Sequence, residues 1–239
     1  CIYSTFLQRS YDQIVHDVCL QDLPVTFCMD RAGLVGADGP THHGAFDLSY
    51  LRHIPHMTLM APKDEAELQR MLATGLTLPG PSAVRYPRGC GAGVELTDHP
   101  EPLEPGIGEL LREGGDVCIL ALGSTVQPCL EAAEDLEGDK VASCAVYNTR
   151  FIKPLPQEIA DMAASSSRIL LVEENALAGG FGSAVLEFLA DSDLLGGKTV
   201  RRLGLPDRYI EHGEPEELRH QVGLDKEGIR RAIEELLAK

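Results

Sequence analysis

Apolar and polar positions alternate along the first ninety residues in a pattern that predicts strands and helices in turn. A short apolar stub at Ile2 and Tyr3 precedes a helix that Ser4 or Thr5 can cap. Apolar runs bounded by turn residues predict three further strands over residues 24–29, 57–60 and 83–86. Pro62 opens an amphipathic helix between the last two. Such alternation is typical of a parallel α/β sheet, whose ligand sites lie at the carboxyl ends of the strands.

A second alternating series follows residue 115. Four strands are predicted over residues 117–122, 141–146, 169–172 and 199–203. Helical spacing predicts helices after Gly123, after Pro156, over 182–189, and twice more before the end of the chain. Residues 90–115 are rich in Gly, Pro and acidic side chains, which is typical of an interdomain connection. We therefore expect two α/β domains, 1–89 and 116–239, joined by a linker at 90–115.

Composition and charge narrow the functional classes. The chain has 239 residues, of which 44% are hydrophobic and 24% charged, enough for two apolar cores. Its formal net charge of -16 argues against general binding to nucleic acids or to anionic membranes. Residues 1–100 hold 7 basic and 11 acidic side chains, so most of the acidity lies in the second domain. No apolar run approaches the roughly 20 residues of a membrane span, and we expect a cytoplasmic protein.

The seven cysteines are scattered and contain no C-x-x-C pair. This spacing fits neither a secreted disulfide framework nor a zinc ribbon. We expect most of them to be reduced thiols among apolar neighbours, where cysteine behaves as a small hydrophobic residue.

The segment 30–44 carries the densest set of chemical groups in the chain. Four glycines accompany Arg31, Asp38, Thr41, His42 and His43. Glycine lets a backbone approach a ligand closely, and a long loop without secondary structure is usually functional or disordered, so a binding loop is favoured over a solvated connector. The adjacent His42 and His43 do not favour a metal site, because neighbouring side chains rarely converge on one ion.

Arginines supply the basic groups of the first domain. Four of them follow or flank predicted elements: Arg9, Arg31, Arg85 and Arg88. Surface pairing with acids is the simpler interpretation of any one arginine, but Arg31 and Arg88 each follow a strand at the expected ligand edge and are favoured as an anion clamp. The glycine cluster 179–183 opens a helix that could hold an anion or only permit close packing, and no ligand is assigned to it.

Four motifs together carry a resemblance to a known family. They are Tyr3-Ser-Thr-Phe-Leu-Gln-Arg9, Asp30-Arg-Ala-Gly with Gly-Ala-Asp38-Gly-Pro-Thr-His42-His-Gly, Arg85-Tyr-Pro-Arg88-Gly, and Val172-Glu-Glu-Asn175. In order and register they closely resemble the 1-deoxy-D-xylulose-5-phosphate synthase family, thiamine-diphosphate enzymes related to transketolase. The resemblance implies a truncated pyrimidine-binding domain up to about residue 89, followed by a transketolase C-terminal-like domain.

The resemblance implies the reaction and the cofactors. In this family pyruvate and glyceraldehyde 3-phosphate condense with loss of CO2 to give 1-deoxyxylulose 5-phosphate, for isoprenoid and thiamine biosynthesis. The cofactor thiamine diphosphate, held with Mg²⁺, supplies the electron sink. By resemblance Phe6 stacks on the aminopyrimidine ring and Arg9 lies on the cofactor side. Homodimers are the expected assembly.

The resemblance also implies the substrate-binding residues. Tyr3, Asp38 and His42 are expected to face the substrates, and His42 is the expected catalytic residue because an imidazole exchanges protons near neutral pH. Arg31 and Arg88 are expected to bind the phosphate of the triose, in agreement with their placement at strand ends.

One part of the family pattern is not in this sequence. In the family, a glutamate that contacts the aminopyrimidine precedes the Tyr3 motif, and the domain that binds diphosphate and Mg²⁺ lies further upstream. We therefore expect this chain to belong to a longer polypeptide, to need that N-terminal segment as its partner, and to be inactive alone. The alternatives are a beta subunit of a 2-oxo-acid dehydrogenase, with a lipoyl acceptor, and a catalytically silent dimerisation module.

Overall fold

The first of two five-stranded sheets is formed almost entirely by the N-terminal part of the chain. The computed structural model describes all residues from 1 to 239. The strands of this sheet are β1 (Ile2–Tyr3), β2 (Thr26–Asp30), β3 (Thr58–Met60), β4 (Ser82–Arg85) and β8 (Phe151–Lys153). Their order is β1-β2-β4-β3-β8, and every neighbouring pair is parallel except β3 with β8. The predicted parallel sheet is confirmed, with an antiparallel strand added at one edge.

The helices of the first sheet begin directly after β1. Residues 4–19 form one irregular helical stretch that contains α1 (Ser4–Leu7) and α2 (Tyr11–Gln13), and a short α3 (Asp47–Leu51) follows the long loop. The helix α4 (Glu65–Thr77) begins where the Asp64 carboxylate accepts a hydrogen bond from the Glu67 amide at 2.8 Å. The sequence predicted the first stretch and α4, whereas the five-residue α3 was too short to give a periodic signal. The expected cap at Ser4 or Thr5 is wrong, because Tyr3 occupies the cap position and the Ser4 and Thr5 hydroxyls bond to Asp47 and to the Thr41 carbonyl instead.

The second sheet follows the second alternating series. Its strands are β5 (Glu109–Arg112), β6 (Val117–Ala121), β7 (Cys144–Asn148), β9 (Arg168–Ala176) and β10 (Thr199–Leu205), in the order β10-β9-β6-β7-β5. Only β5 pairs antiparallel, with β7. The helices are α5 (Val126–Gly138), α6 (Glu158–Ala164), α7 (Phe181–Asp191), α8 (Pro215–Val222) and α9 (Lys226–Leu237).

The two sheets are packed together. One apolar core of 24 buried residues contains Met29 and Leu59 from the first sheet together with Leu120 and Leu171 from the second. The strand β8 comes from the second series in sequence but hydrogen-bonds to β3. The strand β5 lies inside the glycine- and proline-rich segment 90–115. The chain therefore crosses back between the two sheets.

A buried charge cluster fixes this crossing. Arg150 has a left-handed backbone with φ of 60°, and its Nε donates to Glu67 Oε1 at 2.6 Å while Nη2 donates to Glu109 Oε2 at 2.7 Å. Lys63 adds a second cation, with Nζ 3.1 Å from Glu109 Oε2. Since Glu67 is only 2% exposed, its charge requires these partners. The cluster joins α4 to β5 and to the start of β8.

Most cysteine side chains lie in the cores. Cys19, Cys118, Cys129 and Cys144 are buried, and burial raises the pKa of each of these thiols above the ordinary value, so they remain protonated. The expectation of core positions is met at these four residues, while Cys28 is only partly buried and Cys1 and Cys90 are exposed. None of the helices combines the length and the apolar character needed to cross a membrane.

Candidate functional site

The carboxyl ends of three parallel strands meet at one edge of the first sheet. Tyr3 at the end of β1 is in register with Asp30 at the end of β2, and Met29 of β2 is in register with Arg85 of β4. The residues that follow these strands therefore emerge side by side, as the parallel arrangement predicts. They include the helix that starts at Ser4, the loop 30–44 and the segment that leads to Arg88.

Five of the predicted site residues form one continuous surface cluster at this edge. The rings of Tyr3 and Phe6 stack with centroids 5.3 Å apart, and His42 meets Phe6 edge-on at 5.4 Å. The guanidinium carbon of Arg31 lies 3.8 Å from the Tyr3 ring centroid, and that of Arg9 lies 5.9 Å from the Phe6 centroid. Phe6 is 36% exposed, so this part of the cluster is accessible to solvent. We call this set the aromatic cluster.

His42 is attached to the aromatic cluster through the neighbouring threonine. Its Nδ1 lies 2.9 Å from Thr41 Oγ1, and the Thr41 carbonyl accepts a hydrogen bond from Thr5 Oγ1 at 3.0 Å. No protein atom hydrogen-bonds to His42 Nε2. The imidazole is therefore oriented by one nitrogen, while the other is available to a ligand.

His43 has a different environment from its neighbour. It is 6% exposed, its Nδ1 accepts a hydrogen bond from the Val35 amide at 3.1 Å, and its Nε2 lies 3.3 Å from the Glu211 carbonyl. These contacts require the neutral tautomer with the proton on Nε2. His43 is therefore part of the packing of the loop, and the two histidines point to different surroundings.

Arg31 and Arg88 lie at neighbouring strand ends, but each has its own carboxylate partner. Arg31 pairs with Asp30 and has a left-handed backbone with φ of 60°. Arg88 Nη1 lies 3.3 Å from Asp38 Oδ2 and 3.3 Å from the Val35 carbonyl oxygen. The side chains of Arg88 and Asp38 are 49% and 44% exposed, so this pair is accessible to solvent. The structure thus joins two predicted substrate residues, Asp38 and Arg88, directly to each other.

Arg85 is placed in the interior, away from the open cluster. It is 4% exposed, and its Nη2 donates to the carbonyl oxygens of Gly44 at 3.2 Å and Glu174 at 3.1 Å. Its Nε lies 2.9 Å from Asp47 Oδ1, and Asp47 Oδ2 accepts from Ser4 Oγ at 2.7 Å. This network connects the start of α1 to the end of the loop 30–44. It therefore holds in place the two segments that carry the aromatic cluster.

The loop itself is a packed element and not a solvated connector. Gly33 and Gly44 exchange two backbone hydrogen bonds of 2.8 Å each, which close the loop at its base. The second half of the chain also holds the loop, since the Leu34 amide donates to Glu174 Oε1 of β9 at 3.0 Å and the Gly213 amide, just before α8, donates to the Gly36 carbonyl at 3.4 Å. The loop is therefore held between the two sheets.

The glycine cluster before α7 binds a carboxylate of the protein itself. The Glu173 side chain accepts hydrogen bonds from the amides of Phe181 at 2.7 Å and Gly182 at 2.8 Å. A Cβ atom on Gly180 would lie 2.1 Å from Glu173 Oε2. Both interpretations of this cluster therefore apply to one internal contact. The amides bind an anionic group, the Glu173 side chain, and the glycines let it pack closely, so no external anion fits there.

We expect Glu173→Gln to flatten the pH dependence of stability. Burial is the main cause that raises the pKa of Glu173 from 4.5 to about 7, against the lowering effects of the Gly182 and Phe181 amides and of Arg85 and Arg202. Between these values the folded state keeps a proton that the unfolded state loses, so the stability contribution of this group falls as pH rises from 4.5 to about 7. Urea unfolding at several pH values measures the effect. An unchanged slope in the variant would contradict it.

Three side chains that could act as metal ligands lie close together outside the candidate site. His220, Asp225 and Glu227 lie together at the junction of α8 and α9. Asp225 caps α9 by accepting from the Gly228 amide at 2.9 Å, and it also lies 2.6 Å from His220 Nδ1. Capping and the His220 contact account for this arrangement without an ion.

Family models match both parts of the chain. The pyrimidine binding domain of transketolase matches residues 1–92, and the C-terminal domain of transketolase matches residues 106–229. Two curated relatives are 1-deoxy-D-xylulose-5-phosphate synthases, from Nitratidesulfovibrio vulgaris with 58% identity over 238 residues and from Oleidesulfovibrio alaskensis with 59% over 237. Each match covers 99% of this chain but only 37% of the relative, so the chain spans little more than a third of their length.

Solved structures agree with the fold. A structure described as a split-gene transketolase, inactive beta4 tetramer, has a TM-score of 0.85 and 28% identity, covering 99% of this chain and 75% of the other. A transketolase from Pichia stipitis in complex with sedoheptulose 7-phosphate has a TM-score of 0.73 at 19% identity, covering 99% of this chain and 33% of the other.

Proposed function

Because this chain belongs to the transketolase family, we propose that it forms the pyrimidine-binding and C-terminal part of a thiamine-diphosphate enzyme that condenses pyruvate with glyceraldehyde 3-phosphate. The product is 1-deoxyxylulose 5-phosphate, with loss of CO2. The similarity to synthases of this name at 58–59% identity favours this reaction over lipoyl-dependent acyl transfer. The aromatic cluster is the single observation that carries the proposal, since it joins predicted cofactor and predicted substrate residues at one strand edge.

The residues present fit the pyrimidine end of the cofactor. The partly exposed Phe6 ring offers an aromatic surface, and Arg9 and Tyr3 supply a charge and a hydroxyl beside it. When bound, thiamine diphosphate supplies the electron sink for decarboxylation and for carbon–carbon bond formation. In this chain Phe6 would hold the aminopyrimidine ring, with Tyr3 and Arg9 beside it.

The substrate side follows from the remaining residues. His42 gives or takes a proton at Nε2, the ring nitrogen without a protein partner, while Thr41 holds Nδ1. Arg31 and Arg88 offer guanidinium groups from neighbouring strand ends to the triose phosphate, and Asp38 sets the resting position of Arg88. The Tyr3 ring lies between Phe6 and Arg31, and it orients the Phe6 ring and the Arg31 guanidinium group.

Activity is proposed to need residues beyond this chain. The family pattern places the activating glutamate and the diphosphate and Mg²⁺ site in a segment upstream of the Tyr3 motif. The chain is also similar to a split-gene transketolase whose solved form is described as inactive, which supports the expectation of no turnover by these residues alone. Homodimer formation, Mg²⁺ binding in that upstream segment and a cytoplasmic location stay predictions.

Phe6→Ala tests the cofactor surface. In the active protein, that is, this chain joined to the upstream segment that the family pattern requires, we expect the variant to need about two- to tenfold more thiamine diphosphate for half-maximal activity. The reason is that an aromatic stacking pair contributes about 0.5–1.5 kcal/mol. Phe46→Ala is the matched control, since Phe46 is 44% exposed but makes no ring contact with the aromatic cluster. Equal effects of the two variants on cofactor affinity would remove Phe6 from the proposed site.

A further inference from the structure

We infer that Glu174 of β9 is a positioning residue through which the second sheet holds the loop 30–44, here called the substrate loop, and sets the affinity for glyceraldehyde 3-phosphate. The inference rests on the proposed function for its substrate, but the contact that carries it belongs to the structure alone. Glu174 touches none of the predicted substrate residues directly. It acts through the backbone of Leu34 and Val35.

Glu174 is a buried carboxylate with three partners from three different elements. It is 2% exposed, and its Oε1 accepts from the Leu34 amide at 3.0 Å and from Arg219 Nε at 3.2 Å. Its Oε2 accepts from Ser124 Oγ at 2.6 Å. A buried carboxylate with all of its hydrogen bonds made holds its partners in place. Movement of a partner away from it would leave a charge or an amide unpaired in the interior.

The loop is shaped to reach this carboxylate. Gly33 has φ of 77°, and a Cβ atom there would lie 2.6 Å from Glu174 Cδ. Only glycine permits both this backbone conformation and this approach. The Asp30-Arg-Ala-Gly motif and the Val172-Glu-Glu-Asn motif, 140 residues apart, therefore meet at one contact.

The contact is transmitted to the phosphate-binding residues in two steps. Glu174 holds the Leu34 amide, and the next residue, Val35, donates its amide to His43 Nδ1 at 3.1 Å and accepts Arg88 Nη1 at its carbonyl at 3.3 Å. Arg88 also contacts Asp38 in the same loop. A shift of Leu34 and Val35 would move both partners that hold Arg88 in place.

The adjacent glutamate provides a matched control. Glu173 is 1% exposed, lies in the same strand β9, and binds the amides of Phe181 and Gly182 at the start of α7. It makes no hydrogen bond with the loop 30–44. Substitution of Glu173 therefore disturbs the fold from a neighbouring position without touching Leu34.

Amide hydrogen exchange of the protein without substrate tests the contact independently of catalysis. We expect Glu174→Ala to raise the exchange rates of the Leu34 and Val35 amides about tenfold or more, and Glu173→Ala to raise those of Phe181 and Gly182 only. In Glu174→Gln the amide oxygen can still accept from Leu34, so protection should return. Should Glu174→Ala fail to fold, Glu174→Asp, which is one methylene shorter, replaces it. Unchanged exchange at Leu34 would overturn the inference.

Steady-state kinetics of the active protein test the consequence. We expect Glu174→Ala to raise KM for glyceraldehyde 3-phosphate about five- to tenfold while KM for pyruvate changes less than about twofold, with partial rescue in Glu174→Gln. Glu173→Ala should leave the ratio of the two KM values unchanged. Equal rises in both KM values, or a lower kcat alone, would contradict positioning. If no sugar phosphate forms in any variant, the proposed function fails, while the exchange experiment still decides whether Glu174 holds the loop.

Discussion

Asp47→Ala is expected to lower the free energy of unfolding by about 3–5 kcal/mol, because removal of one partner of a buried ion pair leaves the other charge uncompensated. Asp47 is fully buried, and its carboxylate lies 2.9 Å from Arg85 Nε and accepts from Ser4 Oγ at 2.7 Å. The Leu48 amide also donates to Asp47 Oδ1 at 2.7 Å. Urea denaturation followed by circular dichroism gives the difference.

The pair of Arg52 with Glu187, whose carboxylate is exposed, is the control for this prediction. Arg52 binds Glu187 through two hydrogen bonds of 2.8 and 2.6 Å, and the Glu187 side chain is 59% exposed. Glu187→Ala is expected to cost no more than about 1 kcal/mol, since solvent screens a surface pair. If Asp47→Ala cost no more than Glu187→Ala, the buried network would not be the frame of the site.

Arg31→Ala and Arg88→Ala are each expected to reduce kcat/KM for glyceraldehyde 3-phosphate about 30-fold or more. This corresponds to a loss on the order of 2 kcal/mol, because truncation leaves phosphate charge unpaired. Both arginines lie at the strand ends, and the Arg88 side chain is 49% exposed. Steady-state kinetics with each substrate varied in turn measure the effect, and KM for pyruvate should stay close to that of the unchanged protein.

Arg201→Ala provides the comparison for the clamp. Arg201 pairs with Glu235 in the second half of the chain and takes no part in the proposed site. It controls for the loss of one positive charge in a protein of net charge -16. If all three substitutions had the same small effect, Arg31 and Arg88 would not bind the phosphate, and a catalytically silent module would become the better interpretation.

The alternating pattern was sufficient for the parallel strands but not for the two antiparallel ones. β8 has three residues and follows a left-handed Arg150, and β5 has four residues in a segment rich in glycine and proline. β1 and β3 are equally short, but they fall within the strand–helix alternation, whereas β5 and β8 lie outside it and so carry no signal of their own. Their pairing depends on side chains far away in sequence, such as the Glu67 carboxylate that binds Arg150.

The candidate site shows the same limit at the level of single residues. Arg85 and Arg88 lie three positions apart in one motif, yet Arg85 is buried against Asp47 and Arg88 is open to solvent. His42 and His43 are adjacent, yet only His42 has a free ring nitrogen. Residue type and spacing predicted the edge of the sheet, whereas the direction of each side chain depended on tertiary contacts.

Glu174 could not be assigned a role from the sequence. The Val172-Glu-Glu-Asn motif contributed to the family resemblance, but its two glutamates have different partners, the start of α7 for Glu173 and the loop 30–44 for Glu174. The loop contact joins residues 140 positions apart. No local pattern predicts a contact at that separation.

Product analysis is the most direct test of the proposed function. The chain is incubated with thiamine diphosphate, Mg²⁺, pyruvate and glyceraldehyde 3-phosphate, both alone and joined to the N-terminal segment of the Nitratidesulfovibrio vulgaris relative. We predict that the joined protein forms 1-deoxyxylulose 5-phosphate and CO2 in equal amounts, and that the 239 residues alone form neither. Acyl transfer to a lipoyl acceptor without sugar phosphate, or CO2 release by the chain alone at the rate of the joined protein, would contradict the account.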